Sequence, residues 1–175
     1  VSDFGIEKSK VAAVAILTLP GAVLLHDGQF EGRRIKLPVH IQRQPDEPVV
    51  PGLKDFYLKL LKETAQNIYK SGEWTLFGRG AIEGQDDSYH HTIAWGWRCE
   101  QQIRLIFLNF AGHRAQAQIH MPTWLHTLKD TRWKLYDLLS ETYRHEDGNT
   151  LLEDGMRITL AAHEARIYTF ERENA

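Results

Sequence analysis

The stretch from Val11 to Leu25 constrains this chain more than any other. Residues Val11 to Leu17 are all apolar (Val-Ala-Ala-Val-Ala-Ile-Leu). Leu19-Pro20-Gly21 then turns the chain, and Ala22-Val23-Leu24-Leu25 is apolar again until Asp27-Gly28 ends it. A helix over residues 6–19 that carries such a run has no wet face and has to be buried on most sides. Pro-Gly is strong turn punctuation. A short apolar run stopped at once by Asp-Gly reads as a strand covered on both faces. With Ser2 or Asp3 as N-cap, the whole reads as one helix–strand unit of a parallel α/β barrel. The rest of the chain supplies too few such units to close a barrel.

Residues 26–50 form a long polar connection, rich in Pro, Arg and Gln, of a length that is unusual and often functional. Residues 53–69 carry an amphipathic helical pattern. Leu53, Phe56, Tyr57, Leu60, Leu61, Thr64, Ala65 and Ile68 share one helical face, and Lys54, Asp55, Lys59, Lys62, Glu63 and Gln66 take the other. Pro51-Gly52 opens this helix and Ser71-Gly72 closes it.

After Gly72 the period changes from helical to alternating. Strands are expected near Trp74–Gly78, Thr92–Arg98, Ile103–Phe110, Ala115–His120, Lys134–Leu138, Met156–Leu160 and Ala165–Glu171, with a weaker one near Thr142–Arg144. Turns separate them at Asp86-Asp87-Ser88, Ala111-Gly112-His113, Glu146-Asp147-Gly148-Asn149 and Glu153-Asp154-Gly155. Short strands at this spacing predict an antiparallel sandwich with Greek-key connections. The fold class is therefore α+β. An N-terminal helix–strand–helix remnant of a (β/α)8 barrel spans residues 1–71, and an all-β domain spans 72–175.

Four blocks in series carry a family resemblance. They are Leu19-Pro20-Gly21 with its apolar strand and Gly28, Gln29 and Glu31; Phe56-Tyr57-Leu58-Lys59-Leu60-Leu61; Leu105-Ile106-Phe107-Leu108-Asn109-Phe110-Ala111-Gly112; and Trp133-Lys134-Leu135-Tyr136-Asp137-Leu138-Leu139. In order, they resemble the last barrel strand, the final barrel helix and two blocks of the C-terminal β-domain of the α-amylase family of glycoside hydrolases. The resemblance implies a C-terminal fragment of a larger enzyme that hydrolyses or transfers α-linked glucosyl units through a covalent intermediate, without organic cofactor. The family's catalytic carboxylates lie on earlier barrel strands. Such a pair has to flank the scissile bond, about 5–5.5 Å apart in retaining enzymes. No stretch here matches those motifs, so the expectation is no catalytic residue in this chain and no hydrolysis by the chain alone. The β-domain is expected to stabilise the barrel.

The candidate site residues are set by position. Loops at the C-terminal ends of barrel strands build the active face. Gln29, Glu31 and Arg33 are therefore candidates for contact with sugar hydroxyls. The bland alternative is a loop pinned by ion pairs of Glu31 with Arg33 or Arg34. Trp95 and Trp97 lie two apart on one strand and share a face. Exposed, they would stack on sugar rings, as in a stand-alone carbohydrate-binding β-sandwich, which is the alternative function. Buried, they would fill a core or a seam. The nine histidines show no ligand spacing, so no metal is expected. A net charge of −2, with basic residues grouped only at Arg33-Arg34 and Lys36, argues against nucleic acid. No segment reads as a signal peptide or a membrane span. The single cysteine, Cys99, fits a reducing, cytoplasmic setting. The unpartnered helix and strand at residues 6–25 are expected to dock onto the β-domain or to pair copies of the fragment into a homodimer.

Overall fold

The computed structural model describes residues 5–35, His40, Arg43 and 45–173. Ser2, Asp3 and Lys36 lie outside the described residues. The chain folds as two units, Val1–Gln66 and Asn67–Ala175.

The first unit holds helices α1 (Ile6–Thr18) and α2 (Leu53–Thr64), which pack on each other. The N-cap of α1 is Gly5, at φ 74°, rather than Ser2 or Asp3. The Gly5 carbonyl accepts both the Ser9 amide at 3.1 Å and the Ser9 hydroxyl at 2.7 Å. The helix stops where Leu19 turns extended ahead of Pro20. Val11, Ala13, Val14 and Leu17 are buried, but Ile16 is 51% exposed, so the apolar run does have one open side. The expected strand over Ala22–Leu25 is not formed, and Leu24 is 92% exposed. A strand exists only through a hydrogen-bonded neighbour, and no described residue runs alongside this one.

The amphipathic helix ends at Thr64, four residues earlier than its apolar period suggests. The helix breaks at Ala65–Asn67, and helical structure resumes as the short helix α3 (Ile68–Ser71) in the second unit. Glu63, placed by pattern on the wet face, is buried, and its carboxylate accepts a hydrogen bond from the Gln66 amide.

Among the described residues the second unit is built on nine strands: β1 (Glu73–Leu76), β2 (Gly78–Gly80), β3 (Thr92–Cys99), β4 (Gln102–Asn109), β5 (Ala115–His120), β6 (Arg132–Asp137), β7 (Thr142–Asp147), β8 (Met156–Leu160) and β9 (Ala165–Arg172). All pairings are antiparallel. One sheet runs β1-β3-β4-β9-β6-β7 and the other β2-β5-β8. Alternate residues of both sheets, among them Leu105, Phe107, Ile119, Leu135 and Leu160, meet in one core. Short helices fill the connections: 3-10 turns at Asp87–His91 and Thr123–Leu128, and helix α4 (Gly148–Glu153). Asp147 starts α4 by accepting the Asn149 and Thr150 amides, each at 3.0 Å. Among the described residues no helix is long and apolar enough to cross a membrane.

Two of the resembling blocks owe their polar residues to turn building. Asn109 is fully buried at the end of β4. Its Nδ2 donates to the carbonyls of His113 and Ala161, both at 2.8 Å, and its Oδ1 accepts the Ala111 amide at 2.9 Å. Asp137, also fully buried, ends β6. Its Oδ1 accepts the Leu139 amide at 3.0 Å and its Oδ2 the Ser140 hydroxyl at 2.7 Å, with Arg166 Nε 3.9 Å away. Asp137→Ala should lower the unfolding free energy by about 2–4 kcal/mol, because it removes a fully buried carboxylate that holds the turn after β6 through several donors at once. Urea unfolding checks this, and a loss under about 0.5 kcal/mol, the level of an ordinary surface change, would contradict it.

Candidate functional site

The turn after the apolar run is a braced structure. Gly28 and Gly32 both take positive φ, at 78° and 74°. A Cβ on Gly28 would lie 2.8 Å from Arg33 Cδ, and one on Gly32 would lie 2.5 Å from Val50 Cγ2. Both positions need glycine for conformation and for space. The backbone closes on itself: the Gln29 amide donates to His26 O at 3.1 Å, Gly32 to Gln29 O at 3.3 Å and Arg33 to Gly28 O at 3.0 Å.

The foot of the long connection is tied as well. The Val50 amide donates to Glu31 O at 2.9 Å. The Glu47 carboxylate accepts the amides of Arg34 at 2.9 Å and Ile35 at 3.2 Å. The 26–50 connection thus has a narrow neck, with its ends held together.

The three sequence candidates on this turn differ in what they offer. Gln29 is half-buried and engaged at both ends of its amide: Nε2 donates to the Tyr57 hydroxyl at 2.9 Å, and Oε1 accepts the His26 amide at 3.1 Å. Glu31 is half-buried, and among the described residues its carboxylate pairs with neither Arg33 nor Arg34. Arg33 is half-buried, its stem lies against Gly28, and its Nη1 is buried with no hydrogen-bond partner among the described residues. A buried guanidinium nitrogen left without an acceptor is costly and rare. The ion-paired loop set against sugar contact is therefore not what the described residues form.

Trp95 and Trp97 do share a face of β3, and that face is covered: they are 2% and 3% exposed. It is the face opposite the sheet–sheet core, since Ala94 belongs to that core and Trp95 and Trp97 do not. Tyr69 of α3 packs edge-on against Trp97, with centroids 5.8 Å apart. A sugar stacks only on an open ring face, and these two rings do not provide one.

Other candidates resolve into local structure. His90 and His91 sit in the 3-10 turn Asp87–His91. His90 packs on Tyr89 and His91 on His113, with centroids 4.0 and 4.8 Å apart. Among the described residues no group of three or more His, Cys, Asp or Glu could hold a metal ion. Asp86 caps that 3-10 turn, and hydrogen bonds from Ser88 hold its carboxyl below the usual range. Cys99 ends β3, half-buried, with the Asn67 amide 3.9 Å from its sulfur.

Sequence reasoning misses Tyr57 and Glu47 as builders of this turn. Tyr57 is visible only as a member of an apolar stripe, and nothing local ties it to Gln29, 28 residues away.

No protein-family model matches the chain, and no curated protein matches it in sequence. Solved structures do match in fold. The α-amylase of Geobacillus thermoleovorans, solved with acarbose, is 16% identical with a TM-score of 0.68, over 97% of this chain and 34% of that enzyme. A maltogenic α-amylase from Thermotoga neapolitana is 15% identical with a TM-score of 0.68, over 95% of this chain and 37% of its own. An acarbose-soaked debranching enzyme from Nostoc punctiforme is 20% identical with a TM-score of 0.59, over 94% of this chain and 29% of its own. The chain thus has the fold of a section of these enzymes and spans about a third of their length.

Proposed function

We propose that this polypeptide is the C-terminal section of an α-amylase-type enzyme acting on α-glucans or α-glucosides, and that its part in the reaction is to hold substrate and stabilise the enzyme rather than to cleave the bond. The observation that carries this reading is the near-complete overlay of this chain on a third of such enzymes, two of them holding or soaked with acarbose. The open segment Ala22–Leu25 supports it, since apolar strand residues with no ladder partner suit a barrel whose other strands come from elsewhere in the polypeptide.

Within that enzyme the 27–33 turn stands at the substrate face. Glu31 and Arg33, whose charged ends are unpaired among the described residues, contact sugar hydroxyls, and Gln29 holds the turn. The nucleophile and acid come from other barrel strands. The six-stranded sheet buries Trp95, Trp97, Ile106 and Ile167 on its second face, which suits a stabilising role at roughly 25 cal/mol per Å² of apolar area buried. Expressed alone, the chain pairs into homodimers through its open apolar segment.

Reducing-sugar release from starch and maltoheptaose is the direct test, run on the full-length gene product and on this chain. Turnover by the full-length protein and none by the chain is expected. Turnover by the chain, or none by the full-length protein, overturns the proposal. In the full-length protein, Arg33→Ala should raise KM about tenfold, the factor for a lost charge-assisted hydrogen bond.

A further inference from the structure

We infer that Tyr57, a residue of α2 that never meets solvent, is the positioning residue for the turn that presents Glu31 and Arg33. The inference rests on the reading of that turn as a substrate contact. Tyr57 is 1% exposed, and both its ring and its hydroxyl are committed to the turn. The ring lies stacked against Phe30, with centroids 4.8 Å apart and planes 21° apart. The hydroxyl takes the Gln29 amide at 2.9 Å. Gln29 in turn reaches back to the His26 amide at 3.1 Å, which fixes where the turn begins. One helix residue therefore grips two consecutive turn residues, one by stacking and one by a hydrogen bond.

The two side chains beyond that grip, Glu31 and Arg33, sit around the second of the glycines that let the turn close. Neither is anchored by a side-chain hydrogen bond or ion pair of its own among the described residues, so their placement is inherited from the backbone. That backbone is fixed on one side by Tyr57 and on the other by the Glu31–Val50 bond. A hydrogen bond of this kind sets geometry to within fractions of an ångström, and such displacements are felt in substrate binding.

Tyr57→Phe separates the two grips, since it keeps the ring and removes the hydroxyl. In the full-length enzyme it should raise KM for maltoheptaose about 3- to 10-fold, the factor for one hydrogen bond, with kcat within about twofold. Gln29→Ala should do the same, and the double variant should be no worse than the worse single variant, because both remove one shared bond. Amide exchange at Gly32 and Arg33 should quicken in Tyr57→Phe while the melting temperature stays nearly unchanged. An unaltered KM, or effects of the two substitutions that add, would overturn the inference. So would unchanged exchange in the turn, a readout that holds even if the wild-type enzyme proves inactive on α-glucans. In that last case the functional reading fails while the positioning role is still decided by exchange.

Discussion

Replacing Asn109 with leucine is expected to destabilise the second unit by about 3–5 kcal/mol. The side chain is fully buried and makes three hydrogen bonds, to His113 O, Ala161 O and the Ala111 amide. Leucine fills the same space but offers no donor or acceptor, so two carbonyls and an amide lose their partner at once. The connection after β4 and the one after β8 are both held by this residue, through His113 and Ala161 respectively. The loss is therefore cooperative rather than local. Chemical denaturation of wild type and variant side by side measures it, and an unchanged midpoint would show that water takes over the three bonds.

Gly148→Ala is expected to cost about 3 kcal/mol or more, a large share of the stability of an ordinary domain. Gly148 is not among the positive-φ residues, so the conformation is open to alanine. The obstacle is space. An added Cβ would lie 1.8 Å from the Leu128 carbonyl oxygen and 2.9 Å from that of Thr131, and both are backbone. The Gly148 amide already donates to Thr131 O at 2.9 Å, which ties the start of α4 to the connection before β6. Gly84→Ala is the control, since Gly84 has φ 73° and nothing within 4 Å of an added Cβ. It should cost only the left-handed backbone penalty of roughly 1–2 kcal/mol. If the two variants melt together, the close approach at Gly148 is not rigid.

The strands are the most legible part of this sequence. β5 and β8 fall where alternation predicts them, at Ala115–His120 and Met156–Leu160, because one face of each is buried and the other wet. β3 alternates less cleanly because both its faces are covered. For the same reason, composition leaves Trp95 and Trp97 open between an exposed row and a buried seam. Helices α3 and α4 and the two 3-10 turns are too short to show a period. Even so, Asp147 ahead of Gly148-Asn149-Thr150 carries an N-cap signal, which a turn-forming composition masks. The end of α2 is illegible because the apolar spacing runs on through Ala65 to Ile68 while the helix itself breaks. Ala22–Leu25 has the composition of a strand, but strand formation depends on neighbours that a local pattern cannot report. The site divides in the same way. The Gly28–Arg33 turn is visible from its glycines and charges, whereas its brace on Tyr57 is a tertiary contact with no local signature.

The way the chain leaves β1 carries a mechanical consequence. Phe77 still donates its amide to Ala94 O at 2.9 Å beside the six-stranded sheet, and one residue later Gly78 is paired with His120 in the three-stranded sheet. A Cβ on Gly96 would lie 2.4 Å from the tip of the Phe77 ring, so the ring is wedged at the crossing point. The two sheets are thus stitched by an unbroken length of backbone with no slack in it. Sliding one over the other would tear ladder bonds on both sides of Phe77, so at this crossing the two sheets are held in a fixed register to each other.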